Sequence, residues 1–249
     1  MKLSIVTATY NAASHLKRTI DSVAEQDYEN IEYVIVDGSS SDSSVDVIRA
    51  AGDRVSSWTS EPDQGIYDAL NKGIERSSGD VVAFLHAGDV YASSDAASRM
   101  MSALKESDAH VAYSDVVFFR ESDSSKVVRH YSSASFNAAR IASGFMPAHP
   151  TMFVRRGTYE RVGAYDISYA IAGDFDWVAR AFSVHEVRSC YVEGVLIRMV
   201  AGGLSTRGWS SKKIITDEML RACRAHGIRT GPIRLWLRFP IKTWELLTR

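Results

Sequence analysis

An α/β fold on a mostly parallel sheet is predicted by three features of the sequence. Short β-rich runs alternate with helix-period stretches through the first half, the pattern of stacked βαβ units. The run Val81–Leu85 is apolar at every position, as a strand buried on both faces requires. With 249 residues and 45% apolar content, the chain can bury one large core, so a single domain is expected.

Leu3–Thr7 reads as the first strand. Ser14 is a candidate N-cap, and Leu16, Ile20, Val23 and Ala24 follow at helical spacing. Tyr33–Val36 is the second strand, with Asp37 and Gly38 at its end. Ser39–Ser44 forms a polar turn in which Asp42 is placed to cap a helix over Val45–Ala51. Trp58 closes a short third strand. Gly65–Arg76 is an amphipathic helix with Ile66, Leu70 and Ile74 on one face, and Val81–Leu85 stops abruptly at His86-Ala87-Gly88-Asp89. From about Ala109 the pattern changes to strand-like pieces, His110–Tyr113, Val116–Arg120 and Lys126–Tyr131, broken by Ser/Asp clusters; antiparallel additions are expected there. Thr151–Val154 reads as another strand, and Asp174–Phe182 as a helix whose acidic start suits the macrodipole.

Charge is divided unevenly. Residues 1–206 carry 19 basic and 27 acidic side chains, whereas 207–249 carry 10 basic and 3 acidic. Cys190 and Cys223 have neither framework count nor CxxC spacing, which argues against disulfides and a zinc site and for a reducing, cytoplasmic compartment. The opening residues lack the apolar core of a signal peptide, and no run nears the roughly 18 apolar residues of a membrane span. Within 232–249, Ile233, Leu235, Trp236, Leu237, Phe239, Ile241, Trp244 and Leu246 lie among Arg234, Arg238, Lys242 and Arg249. This basic amphipathic segment either rests on a membrane surface or packs on the domain. No recognised nucleic-acid motif accompanies the basic residues, so no nucleic-acid partner is expected.

The loop over residues 8–13 offers neither G-x-G-x-x-G nor a P-loop, which excludes the common dinucleotide and P-loop enzymes. What remains at strand and helix ends is a set of isolated aspartates, Asp37, Asp63, Asp89 and Asp174. Such carboxylates suit a hard cation shared with phosphate oxygens, since magnesium and manganese are often held by one or two carboxylates plus substrate.

Several ordered motifs share a source: Ser4–Thr7 with Tyr10-Asn11, Val34–Asp37, Glu61-Pro62-Asp63-Gln64-Gly65-Ile66-Tyr67-Asp68-Ala69-Leu70-Asn71-Lys72-Gly73-Ile74, and Phe84–Asp89. They are followed by His149-Pro150-Thr151, Gly163–Asp166, Gly173–Asp176 and Gly202–Ser205. In this order the set resembles the family 2 inverting glycosyltransferases, most closely the bacterial exopolysaccharide and colanic-acid branch. The resemblance covers roughly residues 2–206 and implies a GT-A-type fold, with a nucleotide-binding half over about 1–108 and an acceptor half over about 109–206. Residues 207–249 would follow as a basic C-terminal segment.

On this resemblance Asp89 is the metal-binding aspartate of a DxD-type motif, holding Mn2+ or Mg2+ against the donor diphosphate. The family usually carries acidic or amide groups where this chain has His86 and Gly88. Asp174 matches the catalytic base; Asp176, two residues on, is the alternative. Asp37 matches an acidic position facing the nucleoside, and the family often has a second acid at the place of Gly38. Thr7, Tyr10, Asp63, Asn71, Lys72, Gly88 and His149 complete the expected donor-binding set. Without the resemblance each aspartate also reads as a turn or cap residue, Lys72 as a solvated helix position and His149 as a hydrogen-bonded loop histidine. Gly202-Gly203 with Leu204, Ser205 and Trp209 reads either as a closing loop or as a hairpin turn.

The resemblance implies transfer of a sugar, with inversion, from a nucleotide-sugar (UDP preferred by family frequency, guanosine and thymidine open) to a saccharide or lipid-linked saccharide. A loosely held metal or none is also compatible with the incomplete DxD. If the tail rests on membrane, the acceptor is met at the inner face of the cytoplasmic membrane. An inactive nucleotide-sugar- or carbohydrate-binding module and a nucleotidyltransferase are the other classes compatible with the layout.

Overall fold

In the computed structural model the described residues are 1–202 and 211–238, together with the backbone of 208–210. The strands are β1 (Leu3–Thr9), β2 (Ile31–Asp37), β3 (Ser57–Ser60), β4 (Val81–Phe84), β5 (Val90–Tyr91), β6 (Val111–Arg120), β7 (Asp123–Tyr131), β8 (Phe153–Arg155) and β9 (Ser189–Val200). The helices are α1 (Ala13–Ala24), α2 (Ser44–Ala51), α3 (Ile66–Arg76), α4 (Ala96–Glu106), α5 (Arg156–Val162), α6 (Gly173–Ser183), α7 (Gly208–Ala225) and α8 (Pro232–Trp236).

One sheet runs in the order β3-β2-β1-β4-β8-β6-β9-β5, with β7 paired to β6. β1 to β4 are parallel to their neighbours in this half, with Val6 opposite both Val34 and Phe84. β8 is antiparallel to β4 and to β6. The second half is therefore mixed rather than simply antiparallel: β6 and β9 pair in parallel, while β7 and β5 run against their partners.

Alternation along the strands sends side chains to two cores. Val6, Val34, Val36, Val82 and Phe84 face the side covered by α3, α6 and α7; Leu3, Ile5, Ile35, Val81 and Leu85 face the side covered by α1, α2 and α4. β1 and β4 are buried at every residue because both faces are roofed by helices. α3 lies close on β1, for a Cβ on Gly73 would strike the Val6 side chain. Met219, Ala222 and Cys223 of α7 and Leu235 of α8 join the same core as Trp177 of α6, so the described C-terminal residues pack on the body of the protein.

Three local expectations are corrected. Ser14 lies inside α1, whose N-cap position is Ala12. The N–H groups at that end are instead taken by the entry to α2: Ala12 N donates to Ser44 Oγ (3.0 Å) and Ala13 N to Asp42 Oδ2 (3.1 Å). The two pieces expected over 110–120 form one strand, β6, whose pairing with β9 shifts register around Asp115. The 3-10 turn His149–Thr151 occupies the start of the strand expected at Thr151. The loop reading for Gly203, Leu204, Ser205 and Trp209 lies outside the described side chains, as does the tail reading from 239 onward.

Candidate active site

The carboxyl ends of β1, β2 and β4 carry the first group of expected residues. Thr7 is fully buried; its Oγ1 donates to Leu85 O (2.6 Å) and meets the Tyr33 hydroxyl at 2.9 Å, which ties β1 to the exit of β4. Tyr10, at the mouth, is 66% exposed. Asp37 is fully buried and accepts Ser40 N (3.0 Å), Ser40 Oγ (2.5 Å) and Ser60 Oγ (2.6 Å). Asp63 accepts Gly65 N (2.9 Å), and its Oδ2 lies where a Cβ on Gly38 would begin. An acid thus stands in the space that Gly38 leaves open.

Lys72 and Asn71 do positional work. Lys72 donates to Pro62 O (2.8 Å) and pairs with Asp68 (3.3 Å) and Glu61 (3.5 Å), which holds the 61–64 loop. Asn71 clamps the backbone of Tyr165 from both sides, donating to Tyr165 O and accepting Tyr165 N, each at 2.9 Å.

After β4 the chain turns sharply. Asp89 N returns to His86 O (3.0 Å), Gly88 takes φ +103, and Thr19 of α1 stitches the turn by accepting Gly88 N and donating to Asp89 O, both at 2.9 Å. Positive φ at this point favours glycine over the acid or amide of the related pattern. Arg18 donates to Gly88 O (3.0 Å). Asp89 itself is buried; loss of hydration pushes its carboxyl up to about 7, opposed by the Val200 N–H and the Arg18 charge.

Two groups of the kind that ligate a divalent cation lie on this turn. The buried Asp89 carboxyl, which faces Arg18, shares its loop with a buried His86 Nδ1 that has no hydrogen-bond partner among the described residues. No cluster of three or more His, Cys, Asp or Glu suited to a metal occurs among the described residues. A cation at this turn would need most of its ligands from a bound molecule.

From this turn an aromatic row leads to the second carboxylate. His86 stacks on His149 (centroids 6.1 Å), and His149 Nε2 meets the Tyr165 hydroxyl at 2.8 Å. Tyr165 stacks on Tyr67 (5.9 Å), whose hydroxyl donates to Ile171 O (2.5 Å) and lies 3.5 Å from Asp174 Oδ1. Burial keeps both histidines neutral at ordinary pH, pushing His86 down to about 4 and His149, beside His86, to about 3.

Asp174 sits in the first turn of α6, half-buried, and accepts Phe175 N (2.7 Å). Desolvation raises its carboxyl to about 6, with the Phe175 N–H opposing and the Glu218 charge adding to the rise. Asp176 points elsewhere. It is buried against α7, where it meets His226 Nε2 (2.9 Å) and Arg180 of its own helix (3.5 Å). Of the two aspartates, Asp174 is the one on the aromatic row.

Sequence reasoning passed over Tyr67, Tyr165, Thr19, Arg18 and Glu218. The two tyrosines stand inside the quoted motifs, so a signal existed for them; the other three are functional-site neighbours only through folding.

The family model for glycosyl transferase family 2 matches residues 4–163. An uncharacterized glycosyltransferase of Mycobacterium tuberculosis (strain H37Rv) is 30% identical over 213 residues, covering 85% of this chain and 78% of its own. A PGL/p-HBAD biosynthesis glycosyltransferase of Mycobacterium bovis (strain BCG) is 27% identical, with 88% and 82% covered. Among solved structures, Staphylococcus aureus TarS 1–349 in complex with UDP superposes with TM-score 0.66 at 16% identity, covering 88% of this chain and 66% of that one. The Pyrobaculum calidifontis mannosyltransferase PcManGT, bound to GDP-Man and Mn2+, gives 0.65 at 20% identity, with 94% and 67% covered. These likenesses establish the GT-A fold. With the family match spanning most of the strands that build the site, the chain belongs to glycosyl transferase family 2.

Proposed function

We propose that the protein is an inverting glycosyltransferase that moves a sugar from a nucleoside-diphosphate sugar to a hydroxyl of a saccharide or lipid-linked saccharide. The observation that carries this reading is Asp174: a half-buried carboxyl raised to about 6, at a helix start, joined by an aromatic row to the β4 turn. At neutral pH it is ionised yet more basic than an ordinary aspartate, as a general base should be.

In this reading Asp174 takes the proton of the acceptor hydroxyl as that oxygen bonds to the anomeric carbon. The bond from that carbon to the diphosphate oxygen breaks on the opposite face, and the electron pair leaves with the nucleoside diphosphate. Asp89, with His86 beside it, would hold a divalent cation that offsets the departing charge. Asp37 and Asp63 stand at the nucleoside end, where a carboxylate can accept a base N–H. TarS and PcManGT were solved with UDP and with GDP-Man, which supports a nucleotide-linked donor.

No helix of the described residues is long and apolar enough to cross a membrane. On α8, Leu235 points into the core while Ile233 (77%), Trp236 (40%) and Leu237 (54%) remain exposed beside Arg234. This face supports a peripheral seat on the inner leaflet, where a lipid-linked acceptor would be met.

A donor panel with manganese or EDTA tests the reading. Release of one nucleotide that needs acceptor and metal, lost in Asp174→Asn and Asp89→Ala, is the expected result. Donor binding without turnover on any supplied acceptor would sink it.

A further inference from the structure

α7 lies beyond the stretch matched by the family model, yet it reaches the base. Glu218 accepts three successive backbone N–H groups, Ala170 (2.7 Å), Ile171 (2.9 Å) and Ala172 (2.8 Å). These are the residues that lead into α6, and Ala172 is its N-cap position. An acidic side chain from a neighbouring helix thus closes donors that precede the first turn, the role a capping carboxylate normally plays within one helix.

The consequence reaches Asp174 through Ile171. Its N–H is held by Glu218 and its carbonyl takes the Tyr67 hydroxyl (2.5 Å), the same hydroxyl that stands 3.5 Å from Asp174 Oδ1. The fit there has no slack, since a Cβ on Gly173 would come within 2.8 Å of the Tyr67 ring. The ionisable groups facing Asp174 are Tyr67 from α3, Tyr165 from the loop before α6, and Glu218 from α7. Tyr67 and Tyr165 are themselves held neutral by burial, which leaves Glu218 as the charged one.

Resting on the assignment of Asp174 as base, we propose that Glu218 is a positioning residue for the reaction: it fixes the 170–172 segment that orients Asp174 and presents a carboxylate on that side of it. The chemistry stays with Asp174, because Glu218 spends its oxygens on backbone donors. Burial is the main reason the carboxyl stands near 6, and the Glu218 charge adds a smaller push in the same direction.

The test is Glu218→Gln beside Glu218→Asp, each checked for wild-type melting behaviour, with kcat, donor KM and the pH profile of kcat/KM. Glu218→Gln removes the charge and leaves one carbonyl oxygen to accept where two oxygens did, and is expected to lower kcat roughly tenfold while leaving donor KM within about twofold. The acid limb should move from about pH 6 toward lower pH, because Asp174 loses a like charge. Glu218→Asp keeps the charge on a shorter arm and should lower kcat with the limb in place. Carboxyl NMR titration of Asp174 in both variants reads the same shift without turnover. An unmoved Asp174 titration in folded Glu218→Gln overturns the proposal, as does a loss of activity explained by a lower melting temperature alone. Wild-type protein that transfers no sugar, or Asp174→Asn that still does, removes instead the base assignment on which it rests.

Discussion

Asp174 is placed where its charge is costly, and that cost gives it a measurable signature. Its folded value near 6 lies above the ordinary 3.8, so between those values the folded protein holds a proton that the unfolded chain has released. Stability linked to this group is present at low pH and lost as pH rises through about 6. Activity runs the other way: kcat/KM should fall as pH drops through about 6, when the base becomes protonated. Asp174→Asn therefore separates the two effects. It should cut kcat by about 10²–10⁴, and at pH 7.5 it should raise unfolding stability by roughly 1–2 kcal/mol, because no charge is then desolvated. Stopped assays and thermal melts of the same preparation check both. A variant that loses activity and stability together would mean that Asp174 is structural.

At the scale of elements, α6 carries two aspartates with opposite duties. Asp176 faces α7 and meets His226 (2.9 Å) and Arg180 (3.5 Å) while buried. Asp176→Ala strands these partners, so a loss of about 3 kcal/mol is expected in denaturant melts, with the pH limb near 6 retained in whatever folds. The first strands and helices were legible because period and burial agree there: Val81–Phe84 is apolar throughout and buried throughout. Asp174 and Asp89 were singled out by resemblance, and the structure places Asp174 and the β4 turn that carries Asp89 at the two ends of the aromatic row. Thr7, Asn71 and Lys72 show the limit. Each belongs to a motif, yet each is occupied in holding a neighbouring segment, and only tertiary contacts reveal which. α4 and β9 escaped notice because their apolar residues are interrupted by Ser, Arg and Glu, while their burial depends on each other. Glu218 gave no signal, because a glutamate on a polar helix face looks the same whether it meets water or three backbone N–H groups.

Across the whole molecule, charge and exposed apolar surface point the same way. The acidic body, with 27 acidic against 19 basic residues over 1–206, would be repelled by an anionic bilayer, and the basic segment over 207–249, 10 against 3, attracted. Such a polarity would turn the protein so that Ile233, Trp236 and Leu237 face the surface, although each adds only a modest apolar contribution on its own. Binding should then have two separable parts. Raising salt from about 50 to 500 mM should weaken association with anionic vesicles by screening the attraction. The double change Ile233→Ser and Leu237→Ser should reduce what remains at high salt with little change in melting temperature, since these two side chains are more than half exposed while Leu235 stays within the core. Flotation with anionic and neutral vesicles reads both parts. Equal flotation of the wild type and the double variant would show that the exposed side of residues 233–237 is not what meets the membrane, and a wild type indifferent to vesicle charge would remove the electrostatic half of the argument.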